Sequence, residues 1–512
     1  MQLTRAKKLM LNTVTALVDQ AVVVLCGFIL PRMFLVSYGS AVNGLQASIT
    51  QFLGVIVLCE MGVGAVVQSA LYKPLAQKNE LAISQIVCSA ERFFRKLGAL
   101  LLLYTFGLMC VYPVLIKHEF GFVYTASLIL IISLSSFAHY FLGITYRLLL
   151  HADQYGFIPT ALRSVCLLVS TAVCVGLMKA GVGIHGVKLA AAVFFILQPV
   201  LLAWYVRKHY TINHRLKLTV EPIKQKWNGF AQHIASFVLV GTDMLVLTVF
   251  STLDNVSVYS VYNLVANGMR QFMMALTTGI QATFGNMLAN EEWEKVTVFF
   301  ARVEWLMHTS VTLLFGLCGV LIVPFISVYT RGITDANYIV PLFAALLVFA
   351  QALFCMRLPY STLIMAAGHY KETQNSAILE TVLNIVLSVV LVQYWGLVGV
   401  AVGTIIAVGY RTLYFVWYLS GNILKRSRIY FVKCIGADVL VVAVLLLLCH
   451  PFTLQRTDYI AWCWLACKVS LIGVGTSWAV NRLLFPAEVK AVVGQLRRVK
   501  NLIHKRKETY EK

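Results

Sequence analysis

The sequence predicts an all-α integral membrane protein of about 14 transmembrane helices, with two parallel six-helix lobes around a central cavity and two further helices at the C-terminus. Three observations predict it: apolar runs of spanning length, a one-sided distribution of basic residues, and an internal repeat.

The composition sets the solvent. Of 512 residues, 59% are hydrophobic and 12% charged, whereas soluble domains carry about 25% charged residues. So few charges cannot cover so much apolar surface in water, and a bilayer removes the conflict. A span needs about 20 apolar residues. Runs of that kind lie near 9–30, 43–71, 97–116, 122–146, 158–178, 184–206 and 229–253, then 257–289, 303–328, 337–367, 374–393, 396–419, 430–450 and 460–481. Arg5, Lys7 and Lys8 precede the first run, which is too long for the core of a cleaved leader and reads as a retained first span.

The loops alternate in charge. With the N-terminus placed in the cytoplasm, 31 of the 42 Lys+Arg fall in cytoplasmic segments and 5 in outer loops. This positive-inside pattern predicts an even number of spans and two cytoplasmic termini. The net charge of +21 therefore belongs to topology and anionic lipid surfaces, and nucleic acid is excluded as a partner. In the tail, Val489, Val492, Val493, Leu496, Val499 and Ile503 recur at helical spacing among Lys490, Arg497, Arg498 and Lys500. That is a basic amphipathic helix for the inner leaflet.

A repeat organises the spans. GIHGVKLAAAVFFILQPVLLAWYV at 183–206 aligns without gaps on GLVGVAVGTIIAVGYRTLYFVWYL at 396–419, matching Gly183, Gly186, Val187, Trp204 and Tyr205 to Gly396, Gly399, Val400, Trp417 and Tyr418. Tyr146 to Ala152 matches Tyr360 to Ala366 at nearly the same offset. Six intervening spans give both copies one orientation, as in parallel transporter repeats. The expected domains are an N-lobe at 1–206, a cytoplasmic linker at 207–228, a C-lobe at 229–420, extra helices at 421–484 and the basic tail at 485–512.

Enzymatic chemistry finds no support. The outer loops are short, and neither a Walker A loop nor a G-x-S-x-G elbow occurs. The 12 cysteines form no CxxC pair or zinc-spaced Cys/His cluster, so neither a metal nor another cofactor is expected.

A family resemblance enters at 366–415, AAGHYKETQNSAILETVLNIVLSVVLVQYWGLVGVAVGTIIAVGYRTLYF. Its Gly368, Lys371, Glu380, Asn384, Gly396, Gly399, Gly403 and Thr404 resemble the signature stretch of polysaccharide (O-antigen type) flippases. These belong to the multidrug/oligosaccharidyl-lipid/polysaccharide exporter superfamily. Residues 243–265 and 28–55 resemble further parts of the same family. The resemblance implies a bacterial inner-membrane transporter with a twelve-helix two-lobed core and a polyprenyl-pyrophosphate-linked oligosaccharide as cargo. It also implies membrane lipids and a polysaccharide polymerase machinery as partners.

Polar residues inside spans then carry the chemistry, because each is costly unless it faces a cavity or a partner. Asp19, Glu60, Asp243 and Arg270 lie near mid-depth; Arg163 and Arg357, with Arg147, Glu380 and Arg411, lie nearer the cytoplasm. Arg270, Arg163 and Arg357 are the candidates for a cationic cavity, since guanidinium forks match phosphate oxygens. The structural alternative is an ion pair or a snorkelling side chain. Arg147 and Arg411 read as inner-rim residues, and Asp438 and Lys468 as structural. Asp19 is the candidate for coupling to a proton or sodium gradient, with Glu60 and Asp243 as further cavity acids. The rival readings are a multidrug exporter, which would prefer an acidic cavity, a peptidoglycan lipid-precursor flippase, and a membrane glycosyltransferase or polymerase, which would need an outer catalytic loop.

Overall fold

Long apolar runs can satisfy every backbone N–H and C=O in lipid only as helices, and in the computed structural model every element among the described residues is helical. Those residues are 4–56, 63–116, 119–213, 241–491 and 494. The helices are α1 (Arg5–Gly54), α2 (Val63–Ala76), α3 (Glu80–Leu115), α4 (Phe122–Ala138), α5 (Ile144–Ala152), α6 (Phe157–Lys179) and α7 (Ile184–His209). They continue as α8 (Gly241–Phe250), α9 (Leu253–Ala289), α10 (Trp293–Tyr329), α11 (Pro341–Met356), α12 (Leu358–Ala366), α13 (Tyr370–Trp395), α14 (Leu397–Tyr418), α15 (Ile429–Cys449) and α16 (Tyr459–Leu484). π-Helical turns follow α4 at His139–Gly143 and α14 at Leu419–Ile423.

Eleven of the described spans are long and apolar enough to cross a membrane, and the chain is a multi-pass membrane protein. Leu103, Phe106, Leu447 and Leu471 are each at least 66% exposed, which suits side chains that face lipid. The other expected spans fall on three places. The runs 9–30 and 43–71 share the kinked stretch α1, with α2 carrying the end of the second. Near 229–253 only the short α8 is described. α9, over 257–289, is not among the eleven. The expected tail helix lies largely outside the described residues.

α1 is two helices joined at Gly39, whose φ of 82° and ψ of 178° break the helical path. The second begins at Ser40 and would leave unsatisfied N–H groups. Asp335, from the loop after α10, fills that role: Ser40 N donates to its Oδ2 at 2.6 Å and Ser40 Oγ to its Oδ1 at 2.7 Å. A carboxylate at a helix N-terminus also meets the positive end of the dipole. Gly44 lets this helix approach α9 so closely that a Cβ there would lie 1.9 Å from the Leu253 carbonyl oxygen.

Contacts group the chain into two units. The first comprises Met1–Leu264, Gly332–Asn337 and Ser388–Val400. Its core joins Val67 and Leu71 of α2, Phe94 and Leu101 of α3, Leu149 of α5 and Val206 of α7, all buried. The second comprises Val265–Arg331, Tyr338–Leu387 and Ala401–Lys512. Within it α15 and α16 are fastened to α10 by buried polar contacts: Asp438 accepts from Thr312 Oγ1 at 2.6 Å and pairs with His308 Nδ1 at 2.6 Å, and Trp305 Nε1 donates to Asn481 Oδ1 at 2.7 Å. Asp438 is thus structural. Lys468 lies on α16 and lines a pocket with Arg456 and Asp458.

The repeat is visible in helix bounds. α5 runs 144–152 and α12 runs 358–366, so both ends are 214 residues apart. α7 starts at 184 and α14 at 397, offset by 213 as in the alignment.

Candidate functional site: a cationic cavity in the first unit

Within the first unit, α1, α4, the π-turn, α5, α6 and α7 line a half-open cavity of about 440 Å³. Its polar lining is Thr50, Ser135, Ser136, His139, Tyr140, Arg147, Arg163 and Gln198, against Leu53, Phe195, Pro199 and Leu202. The π-turn sets this wall. One extra residue per turn rotates the helix locally and puts His139 and Tyr140 beside the void; such bulges are frequent at functional sites. Gly143 ends the turn where a Cβ would lie 2.7 Å from the Pro199 Cβ, so α7 comes close only because no side chain is there.

Arg163 and Asp19 stand together. Arg163 Nε donates to Asp19 Oδ1 at 3.1 Å, its Nη2 donates to Oδ2, and Ser164 Oγ adds a bond to Oδ1 at 2.8 Å. The Arg163 side chain is 47% exposed and that of Asp19 11%. The acid is therefore buried behind its partner, and the guanidinium keeps an open side in the cavity wall. Arg147, on α5, brings a second guanidinium to the same void. The lining offers two arginines, a histidine and five hydroxyl or amide groups, Tyr140 among them, a set suited to phosphate oxygens and sugar hydroxyls.

The second unit treats the matching positions differently. At the repeat offset, Gly143 corresponds to Arg357 and Gln198 to Arg411. Arg357 Nη1 donates to Glu380 Oε1, and Arg411 Nη1 donates to Glu380 Oε2 at 2.6 Å, with all three side chains buried. Where one copy has cavity lining, the other has an ion triad. Arg357 and Arg270 both stack on Phe354, at 4.8 and 5.4 Å from its ring centroid. Arg270 is buried and donates through Nη2 to Asn267 Oδ1 at 2.6 Å and through Nη1 to Gln351 Oε1 at 3.4 Å.

Of the expected site residues, Arg163 and Asp19 come together at the first-unit cavity, and Arg270 and Arg357 around Phe354 in the second unit. Asp243 is buried on α8 and accepts from Tyr259 at 3.2 Å. Glu60 lies outside the described residues. Arg147, expected at the inner rim, is among the residues that line the cavity. His139 and Gln198 were not singled out by sequence; the only available signal was polar residues within an apolar run.

No protein-family model matches the chain, and no curated protein does. Solved structures do. The lipid II flippase MurJ in an inward closed conformation is 14% identical, with a TM-score of 0.71 over 94% of this chain and all of that one. The fold is that of MurJ and the MATE transporters. An inward-facing multidrug resistance MATE family transporter of the MOP superfamily is 16% identical, with a TM-score of 0.57 over 81% of this chain and 95% of its own. A MATE protein in a bent conformation is 14% identical, with a TM-score of 0.52 over 82% and 96%. These neighbours are described as a flippase and transporters, not as enzymes.

Proposed function

We propose that the protein is a MOP-superfamily transporter that flips a polyprenyl-pyrophosphate-linked oligosaccharide from the cytoplasmic to the outer leaflet of a bacterial inner membrane. It does so by alternating access, in the synthesis of a cell-surface polysaccharide. One observation carries the reading: a cavity inside apolar helices lined by Arg147, Arg163 and His139, with hydroxyl and amide groups around them. A phosphorylated, hydroxyl-rich head is costly to place in hydrocarbon, and this lining replaces its water.

The pair Arg163–Asp19 suggests how loading and release work. In the unloaded site the Asp19 carboxylate neutralises Arg163. Phosphate oxygens compete for the same fork, which remains open on the cavity side. A proton or sodium ion on Asp19 would free Arg163 for cargo, which gives a gradient a point of action. The triad Arg357–Glu380–Arg411 is closed and holds shape.

The class is tested by deleting the gene and analysing inner-membrane lipids by mass. Accumulation of an unexported polyprenyl-linked oligosaccharide is expected, and its mass names the sugar. Accumulation of a peptidoglycan precursor would move the reading to that cargo; loss of cationic-dye export with unchanged lipids would overturn it in favour of a multidrug exporter. Arg147→Glu puts a carboxylate where the phosphate would sit and should abolish glycan flipping; intact flipping with improved export of cationic dyes would favour the multidrug exporter instead.

A further inference from the structure

Lys188 lies on α7, outward of the cavity on the expected topology. Its ammonium donates to Gln46 Oε1 and lies 4.3 Å from the centroid of the Phe34 ring. The buried thiol of Cys174 also lies near it, and no carboxylate pairs with it among the described residues. A lysine has three donors, and two of them have no hydrogen-bond acceptor among the described residues. The shell around it is neutral: Gln46 Nε2 donates to Asn43 Oδ1 at 3.3 Å, and Asn43 Nδ2 donates to Ser257 Oγ at 2.8 Å. The other charges of the first unit's interior are managed differently, as in the capture of Arg163 by Asp19.

Placement gives the residue a direction. Lys188 and the cavity residue Gln198 are ten residues apart on α7, about 15 Å along its axis. Gln46 precedes the cavity residue Thr50 by four residues on α1, about 6 Å. Positions 188, 195, 199 and 202 fall on one stripe of α7, and 46, 50 and 53 on one stripe of α1, by helical spacing. The two faces that line the cavity thus continue, on the expected topology, outward to an ammonium with no carboxylate partner among the described residues.

We infer that Lys188, held by Gln46 and Phe34, is a second anion station that receives the phosphate of the cargo head after it leaves Arg147 and Arg163. The inference rests on the proposed flipping of a phosphorylated head. It assigns inward loading to the arginines and outward transfer to the lysine. An ammonium without a carboxylate partner among the described residues is retained because a passing dianion satisfies it.

The test uses the full-length protein in lipid vesicles, with farnesyl pyrophosphate as binding probe and a fluorescent short-chain polyprenyl-pyrophosphate sugar for flipping. Lys188→Gln should keep probe affinity within about twofold and slow flipping about tenfold or more, while Lys188→Arg restores most of the rate. Gln46→Glu is the variant that separates function from structure. It places a carboxylate on the ammonium, so a merely structural lysine predicts equal or higher melting temperature and unchanged flipping. A station predicts retained melting temperature and flipping slowed about tenfold. Wild-type flipping by Lys188→Gln, or by Gln46→Glu, overturns the station and leaves the cavity reading intact. Failure of the unsubstituted protein to bind the probe and to flip the sugar overturns the cavity reading, and the station with it.

Discussion

Arg163 holds Asp19 with two nitrogens of its guanidinium, joining α6 to α1 in the wall of a cavity. The acid is nearly enclosed and the base is half open. Asp19→Asn should cost only about 1–2 kcal/mol of stability, because the open side of Arg163 is screened by water. Melting temperature in detergent checks this. The same variant should bind prenyl pyrophosphate at least as well as the parent and lose its response to an imposed ion gradient. Unchanged transport at every imposed gradient would remove Asp19 from coupling.

The triad in the second unit behaves in the opposite way. Glu380 is fully buried and accepts from both Arg357 and Arg411. Glu380→Gln strands two buried cations and should destabilise by about 3–5 kcal/mol. Adding Arg357→Met and Arg411→Met should recover most of that loss, since a well-packed apolar cluster can replace a buried ion network. Unfolding in a graded mixture of dodecyl sulfate and mild detergent measures both.

At Gly39, alanine meets two obstacles. Its φ is +82°, and a Cβ would lie 2.7 Å from Asp335 Oδ2. Gly39→Ala should cost about 1–3 kcal/mol through backbone strain, and Asp335→Ala about 1 kcal/mol through loss of the cap. Because the residues touch, the double variant should fall short of the sum, which thermal melts of the four proteins will show.

Near the same end, outside the expected spans, burial pushes the Glu119 carboxyl up from 4.5, with Asp254 adding to the rise. Burial likewise pushes Asp254 up from 3.8, with Asp335 adding to it. Raised values mean that the folded chain binds these protons more tightly than the unfolded one. Their contribution to stability is complete below the unfolded values and is lost as pH rises through the folded ones. Glu119→Gln with Asp254→Asn should therefore raise the melting temperature at about pH 7 and leave it unchanged at about pH 3.5.

Much of the membrane architecture was legible because lipid imposes simple demands. Length and apolarity mark spans, and Tyr146–Ala152 and Tyr360–Ala366 already carried the repeat that α5 and α12 show in their bounds. The charged residues of the interior were legible as types, but their partners were not. Asp19 and Arg163 are 144 positions apart, and only packing joins them. Arg357 looked equivalent to Arg163 in depth, yet Glu380 and Arg411 enclose it. The π-turn at His139–Gly143 leaves no periodic trace, so the wall it builds was hidden. Nothing in the sequence around Asp335 marks its role, because that role depends on a kink almost three hundred residues earlier.

That kink has a consequence for biosynthesis. The first unit contains Gly332–Asn337 and Ser388–Val400 as well as its N-terminal residues. A ribosome that has delivered everything up to Leu264 has not yet supplied the carboxylate that finishes the helix at Ser40. Early helices must wait in the bilayer for late ones, so the two halves of the gene, translated apart, would yield an opening half with an uncapped bend.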